Sequence, residues 1–546
     1  MKTIRLLIIL LLNCCPTLVI FSQKNTVLNY FPQDAKMIMK MNMTSLGQKM
    51  KWEEFTKSKM FEDMIKDASE EGKAFLKNPT STGVDMSQGI FVVIPSNNSN
   101  RKSEPIVYGV PSDTGQFAAM VKKLAPGEHT VKISNGKLLI HKQTAIAWNN
   151  DIFVITGDDN KEVPVYPATE PKTPDDATKT KQLAEKCKML LTKRKIASIN
   201  EHFTSLLKQD GDMYVWINNM VQSQSQKTKA PQIVAMFNKN MLGGGNYSAG
   251  VIRFENGRTT MQMTQYVSAT IDSLYKKYPT KNINTQLTGK LPAGQPIFVY
   301  SFRFSPAMLN EVLLRAGAGR YLDSLSKKKI MMDDIVSAIR GDMTMAVIKL
   351  NDPGEGDSVT KAMNGIQVFL AGGIKDKQKF KAISSAVQAE QNDTGKSQAA
   401  KKMKPVILSD DSLFVVSLSQ TAAQKFLESS GTNQQMKTLF GPYEGYPSAF
   451  IIDLKTILGF VMQGASKNRS EEQVRQMSEA LGAFDKLVSY GGVYDHGSLS
   501  STLQLTLTNQ DENSLKQFID LFDPFYLMRN KKSSASTPTL PQGSVQ

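Results

Sequence analysis

The sequence predicts an α+β fold that is internally duplicated, with two similar halves that each carry an antiparallel β-sheet and packed helices. The first observation is a unit of turn, alternating strand and amphipathic helix that occurs twice, at residues 250–278 and 492–522. The second is that other landmarks keep the same order around both copies. The third is the pair Asn256 and Gly257, which favours a type I′ turn with positive φ at both residues and predicts a solvent-facing hairpin tip.

The matched landmarks are Met86 with Met343, Asp113 with Asp376, Phe153 with Phe414, and Gly257 with Gly497. Their separations are about 240 to 260 residues, whereas the repeats of solenoid proteins are only about 20 to 50 residues long. The spacing therefore predicts duplicated halves. The predicted domains are a signal peptide at 1–22, a first half at 23–280, a second half at 281–526 and a disordered tail at 527–546.

The elements of the two halves follow in the same order. Each half begins with a strand that is followed by a helix. Asp113 in the first half and Asp376 in the second are each placed to cap a later helix. A hairpin follows that helix in both halves. The ranges are 32–42, 44–57 and 145–155 in the first half, and 294–304, 306–313 and 406–416 in the second. Polar segments at 157–181, 222–231 and 388–404 and the tail after Lys531 are predicted to be loops or disorder.

The N-terminus predicts export. Lys2 and Arg5 precede an apolar run that is too short and interrupted to span a bilayer, which is the pattern of a signal peptide cleaved near Ser22. The alternative is a lipoprotein anchored at Cys14 or Cys15. After cleavage Cys187 is the remaining cysteine, so no internal disulfide can form, and a bacterial periplasm or outer envelope is the expected location. No transmembrane span is expected in the mature chain.

The formal net charge of +16 is spread over both halves, and its short basic runs are not interleaved with aromatic residues. A solvated basic surface explains this better than nucleic-acid binding does, so no nucleic-acid partner is expected.

The search for chemistry gives no catalytic, cofactor-binding or metal-binding residues. His129, His141, His202 and His496 have no metal-ligand spacing, and His496 is interpreted as a turn residue. The sequence has no Gly-x-Ser-x-Gly elbow, and the Gly395 to Ser397 fragment lacks the rest of a phosphate-binding loop. We therefore expect no cofactor and no enzymatic activity, with a hydrolase as a distant alternative.

The 28 methionines fit either an adaptable core or a soft apolar groove. Two functional hypotheses remain. The first is a non-catalytic binding or scaffolding protein of the cell envelope, whose partner is an unknown envelope protein, glycan or lipid. The second is a carrier or sensor of amphiphilic or anionic lipids. An apolar cavity between helix and sheet would favour the carrier, whereas a packed core would favour the scaffold.

Residues 31–42, the Gly83 to Asp85 turn and the strand at 214–217 resemble an exported family of Bacteroidota that is defined only by a domain of unknown function. The resemblance covers nearly all of the mature chain. Its motifs are structural, so it implies compartment and architecture and assigns no functional residue.

Overall fold

The computed structural model describes residues 26–65, 77, 82–96, 104–141, 144–157, 176–194, 201–219, 246–317, 332–350, 365–393, 405–465 and 470–521. The fold is α+β, as predicted. The strands are β1 (Ala35–Met41), β2 (Ile90–Pro95), β3 (Ile106–Gly109), β4 (Val131–Ile133), β5 (Gly136–His141), β6 (Thr144–Trp148), β7 (Phe153–Gly157), β8 (Met213–Asn218), β9 (Tyr247–Glu255), β10 (Arg258–Tyr266), β11 (Gly294–Arg303), β12 (Ile339–Leu350), β13 (Ile366–Ile374), β14 (Val406–Ser409), β15 (Leu413–Ser417), β16 (Ser448–Asp453), β17 (Phe484–Asp495) and β18 (Ser498–Leu507).

The helices are α1 (Met43–Lys49), α2 (Trp52–Phe55), α3 (Lys59–Ile65), α4 (Thr114–Leu124), α5 (Asp176–Leu190), α6 (Glu201–Leu206), α7 (Ala269–Lys277), α8 (Thr285–Gly289), α9 (Pro306–Arg315), α10 (Met332–Ala338), α11 (Lys377–Asp393), α12 (Gln420–Glu428), α13 (Gln434–Phe440), α14 (Leu454–Ala465), α15 (Glu471–Gly482) and α16 (514–521). Three short 3₁₀ helices, Thr26–Tyr30, Met86–Gln88 and Gly441–Tyr443, complete the set within the described ranges.

The strands form one antiparallel sheet of 18 strands. From one edge to the other, the hydrogen-bonded pairs give the order β4, β5, β6, β7, β3, β2, β1, β8, β9, β10, β18, β17, β16, β11, β12, β13, β15, β14. The two halves meet where β10 pairs with β18. Both outer strands, β4 and β14, are short, which limits the unpaired edge that the sheet leaves in solution.

Eight strands of each half follow the same order, and β4 and β5 extend the first half beyond them. Read towards the junction, β6, β7, β3, β2, β1, β8, β9, β10 correspond to β14, β15, β13, β12, β11, β16, β17, β18. At the junction Gln262 pairs with Thr502, and Arg258 and Tyr266 pair with Thr506 and Ser498, as a local two-fold axis requires. This is the arrangement that the repeat predicts. The duplication itself stays a prediction, whose test is a superposition of residues 27–278 on 290–523.

Equivalent aromatic pairs occur in the two halves. Phe117 of α4 stacks on Phe153 of β7 with 4.8 Å between ring centroids, and Phe380 of α11 stacks on Phe414 of β15 at the same distance. Glycine stands opposite each strand phenylalanine because the ring occupies the place where a Cβ would be: Gly109 faces Phe153, and Gly372 faces Phe414. The predicted caps that start these two helices are confirmed, since Asp113 and Asp376 each accept two backbone N–H groups of the first helical turn.

The sheet is covered by helices on both faces. On one face, α5 and α6 pack over the first half and α12 and α13 over the second. On the other face, α1 to α4 cover the first half, while α10 and α11 pack over part of the second half. Direct pairs place Tyr300 and Phe450 of the second half on this latter face, in one row with Ile252 and Met41 of the first.

Several sequence predictions need correction or lie outside the described residues. Residues 176–181 begin α5, and residues 388–393 end α11, so these parts of the predicted loops are helical. The predicted signal peptide, Cys14, Cys15, the segment 222–231, Gly395 to Ser397 and the tail after Lys531 lie outside the described residues.

The first hairpin turn also differs from its prediction. Only Gly257 has positive φ, at 64°, so the Asn256 and Gly257 turn is not type I′. Asn256 is exposed, as predicted, but Gly257 is buried: Gly257 N donates to Glu512 O at 2.9 Å, and Leu507 N donates to Gly257 O at 2.8 Å. The turn therefore fastens β10 to the chain that follows β18. In the second hairpin both His496 and Gly497 have positive φ, at 40° and 81°, which confirms His496 as a turn residue.

Replacing Gly257 by alanine is expected to lower the free energy of unfolding by about 2 kcal/mol or more, because the new Cβ carries the strain of positive φ and also meets an obstacle. That obstacle is the Cα of Gln510, 2.6 Å from the Cβ position. Denaturant unfolding of the variant measures the loss.

Gly127→Ala is the matched control, because Gly127 has φ of 88° and nothing within 4 Å of a Cβ. It should show the strain alone. His496→Asn should change the free energy of unfolding by less than about 0.5 kcal/mol. The imidazole is exposed, and asparagine also adopts positive φ in turns. Equal losses in Gly257→Ala and Gly127→Ala would contradict the packing of the first hairpin tip.

Candidate functional site

A cavity of about 980 Å³ lies between the sheet and the helices of the second half. Its floor is β11, and its walls are α9, α10 and the C-terminal end of α7 with the segment that follows. The volume falls at the upper end of the range of roughly 300 to 1,000 Å³ that is typical of small-molecule sites.

The floor is aromatic because β11 alternates. Tyr300, Phe302 and Phe304 point to the cavity face, while Val299 and Ser301 are buried on the opposite face. The rings of Tyr300 and Phe302 stack at 4.6 Å, and those of Phe302 and Phe304 at 6.0 Å. These three rings form a continuous apolar surface, and burial raises the pKa of the Tyr300 hydroxyl above its usual value.

The wall formed by α9 is amphipathic but not packed into a core. Ser305 caps the helix and Pro306 occupies its first turn, which fixes where the helix leaves β11. No residue of α9 is fully buried, and Leu309 and Leu314 are 43% and 56% exposed. Met308 and Val312 of α9 pack instead near Leu274 of α7, and a space remains between α9 and the aromatic residues of β11.

The equivalent place in the first half is filled. After β1 the chain forms α1, α2 and α3, whose side chains Met43, Trp52, Phe55 and Phe61 are buried against the sheet. Trp52, Phe55 and Phe61 contact one another at 5.1 to 5.5 Å between centroids. The described residues 306–317, which follow the first strand of the second half, contain no aromatic residue.

The charged residues that line the cavity are basic: Lys277, Lys281, Arg303, Arg340 and Lys375. No Asp or Glu is among the described lining residues. Four of the five are exposed and Arg303 is half-buried, so the positive charge lies at the mouth.

Two of the five basic residues are held in ion pairs. Lys277 Nζ lies 2.7 Å from Glu311 Oε2, and the Tyr278 hydroxyl donates to the same oxygen. The hydrogen bond from Lys277, and after it the one from Tyr278, lowers the pKa of Glu311 to about 2. Arg340 Nε lies 3.2 Å from Oδ1 of Asp342, a buried carboxylate that also accepts a hydrogen bond from Asn284.

The residues that sequence reasoning considered for chemistry are not brought together. His129 and His496 are exposed, His141 Nδ1 lies 3.1 Å from Glu128, and the His202 ring packs on Tyr266 at 4.0 Å. Burial raises the pKa of the Cys187 thiol to about 12, so that thiol stays protonated at neutral pH. Asp410 accepts the backbone N–H groups of Ser412 and Leu413 in a hairpin turn.

The high methionine content is explained in part by the core, since Met41 and Met43 are buried in the first half. The groove that it suggested is lined mainly by aromatic residues of β11 and by α9, with Met308 as a lining methionine. The signal that sequence reasoning could have used is the alternation of aromatic residues in 298–304.

Among the described residues, no group of three or more His, Cys, Asp or Glu side chains is arranged to hold a metal ion. None of the helices in the described ranges is both long enough and apolar enough to cross a membrane.

No family model and no curated protein matches the chain. Among solved structures, crystal form IV of TP0453 is similar at 9% identity over 45% of this chain and 82% of that chain, with a TM-score of 0.24. Crystal form I of TP0453 is similar at 8% identity over 48% and 88%, with a TM-score of 0.25. Likenesses this weak carry no argument about the function of the chain.

Proposed function

We propose that the protein is a non-catalytic amphiphile-binding protein of the bacterial cell envelope, which holds the apolar chain of its ligand in the cavity between α9 and β11. The single observation that carries the proposal is that cavity of about 980 Å³ with its aromatic floor. Of the two functions raised by the sequence, it favours the carrier or sensor of amphiphiles.

A purely scaffolding role does not require such a space, and α1 to α3 pack directly on the sheet at the equivalent place in the first half. The open second half leaves Tyr300, Phe302 and Phe304 half-buried and Leu309 exposed, which is costly for large apolar side chains unless another apolar group covers them. An alkyl chain laid along β11 would cover these side chains, and its polar end would remain at the basic mouth.

The envelope location rests on the signal-peptide pattern of residues 1–22, the lack of any possible disulfide after cleavage and the resemblance to an exported family. N-terminal sequencing of the protein from its native envelope should begin at Gln23. An acylated Cys14 or Cys15 would instead show a lipid anchor.

The binding test is a chain-length series of fatty acids below their micelle concentrations, from octanoate to tetradecanoate, measured by titration calorimetry. Each buried methylene contributes about 0.8 kcal/mol, so affinity should rise about fourfold per methylene until the cavity is full. Val336→Trp should weaken binding by occupying part of the cavity beside α10, since Val336 lines it and belongs to none of the buried core clusters.

Val336→Ala is the matched control, because it changes the same position but leaves the space open. It should bind with nearly the affinity of the parent protein. Saturable binding that Val336→Trp does not reduce would place the ligand elsewhere, and no binding across the series would refute an amphiphile site.

A further inference from the structure

We infer that the ligand carries an anionic head group, a carboxylate or a phosphate monoester, and that Arg303, Lys281 and Lys375 hold this group at the mouth of the cavity. The inference rests on the proposed function and adds the chemistry and the orientation of the ligand.

The first support is the sign of the charge. Five cationic and no acidic side chains are among the described residues that line the cavity. Positive charge at the rim of an apolar space raises the local concentration of anions and disfavours cationic ligands.

The second support is which of these cations lack a partner. Glu311 and Asp342 pair with Lys277 and Arg340, but within the described part of the chain no ion pair involves Lys281, Arg303 or Lys375. Arg303 Nη1 donates to Asn282 O at 3.4 Å, while its Nε is buried and has no hydrogen-bond partner among the described residues. A buried guanidinium N–H without a partner is costly, so an acceptor on the ligand would remove the cost.

The third support is the position of the charge relative to the apolar surface. Lys281 and Lys375 are exposed, whereas the aromatic floor and Val336 are half-buried. An amphiphile therefore fits in one direction, with its chain against β11 and its head among the cations. Arg303 is the last residue of β11, and its side chain leaves the strand on the face of Val299 and Ser301. It lines the cavity at this end of the strand, beyond the aromatic floor.

The test compares ligands of equal chain length and different head: dodecanoate, dodecyl phosphate and the glycerol ester of dodecanoic acid. Because hydrogen bonds to charged groups contribute about 1.5 to 3 kcal/mol, the anionic ligands should bind at least about tenfold more tightly than the ester. The preference should shrink as salt is raised, since the cations at the mouth are exposed.

The variants assign the preference to residues. Arg303→Met should lower the affinity for dodecanoate by about tenfold or more and leave the ester unchanged, and Arg303→Lys should restore part of the loss. Lys281→Met combined with Lys375→Met should remove most of the remaining preference. Lys132→Met combined with Arg475→Met removes the same charge at exposed positions that do not line the cavity, and it should keep the preference.

Inorganic phosphate separates a head group from a free anion. We expect millimolar phosphate to compete only weakly with dodecanoate, because it lacks the apolar chain. Equal binding of the ester and of dodecanoate, or an unchanged preference in the Arg303 and lysine variants, would overturn the anionic head group while leaving the amphiphile site intact. Tight phosphate binding that dodecanoate does not displace would show a free-anion site and would also overturn the inference.

Discussion

Replacing Asp212 by alanine is expected to lower the free energy of unfolding by about 3 kcal/mol, because a buried acceptor of three hydrogen bonds is removed. Asp212 is 1% exposed and joins α1 to β9, whereas its partner Lys49 is partly exposed. Its carboxylate accepts from Ser45 Oγ at 2.5 Å, from Lys49 Nζ at 2.5 Å and from the backbone N–H of Phe254 at 2.6 Å. Without it, α1 loses its polar attachment to β9, and the buried N–H of Phe254 has no acceptor.

Denaturant unfolding measures this loss, and two further variants separate its causes. Asp212→Asn retains an acceptor of the same shape and should lose less than Asp212→Ala. Lys49→Met in the Asp212→Asn background should recover part of the loss, because it removes the charge that the asparagine no longer balances. A loss below about 1 kcal/mol for Asp212→Ala would contradict a buried network and match an exposed pair.

Replacing Lys40 by methionine is expected to stabilise the protein by roughly 3 kcal/mol at pH 7. This is the free energy that corresponds to the lowering of the pKa of Lys40 on folding. Lys40 is 4% exposed in β1, with its ammonium 5.5 Å from the Phe91 ring centroid and 5.8 Å from that of Tyr214. Burial lowers its pKa from 10.5 to about 8. The two rings offset only part of the cost of burying the charge.

The pH dependence of this cost has a definite sign. Between pH 8 and pH 10.5 the unfolded chain holds a proton on Lys40 that the folded protein has released, so the contribution of Lys40 to stability rises with pH across that window and is constant below it. Cys187 and Tyr30, whose pKa values burial raises to about 12, act in the opposite direction at alkaline pH. The informative quantity is therefore the difference between Lys40→Met and the parent protein.

That difference should shrink towards zero as the pH approaches 10.5. Lys132→Met, an exposed lysine in β4, serves as the control and should change stability by less than about 0.5 kcal/mol at every pH. A Lys40→Met protein that is less stable than the parent protein at pH 7 would show that the cation contributes more to the core than its burial costs.

Local patterns in the sequence were sufficient for much of the fold. The hairpin at β9 and β10, the caps at Asp113 and Asp376 and the correspondence of Phe153 with Phe414 depend on residues close in sequence or on a repeated spacing, and the structure contains all of them. The α+β class followed from these elements.

What the sequence did not predict depends on contacts between distant residues. The conformation at Asn256 follows from the docking of the turn on Gln510 and Glu512, which no local preference encodes. The cavity depends on how α9 and α10 lie over β11, which involves contacts between residues far apart in the sequence. From the local sequence Lys40 resembles an ordinary exposed lysine in a strand. Its burial depends on Tyr214 of the neighbouring strand β8, which is distant in sequence.

The pairing of β10 with β18 has a consequence for how the chain folds. β10 and its partner strand are separated by about 240 residues, so a first half that folds before β18 is in place presents an open, nine-residue template for strand addition. Such late closure slows folding and exposes the chain to association with other copies. A protein cut after residue 278 should therefore dimerise through β10 or aggregate, whereas the full chain, whose last strand shields that template, should stay monomeric.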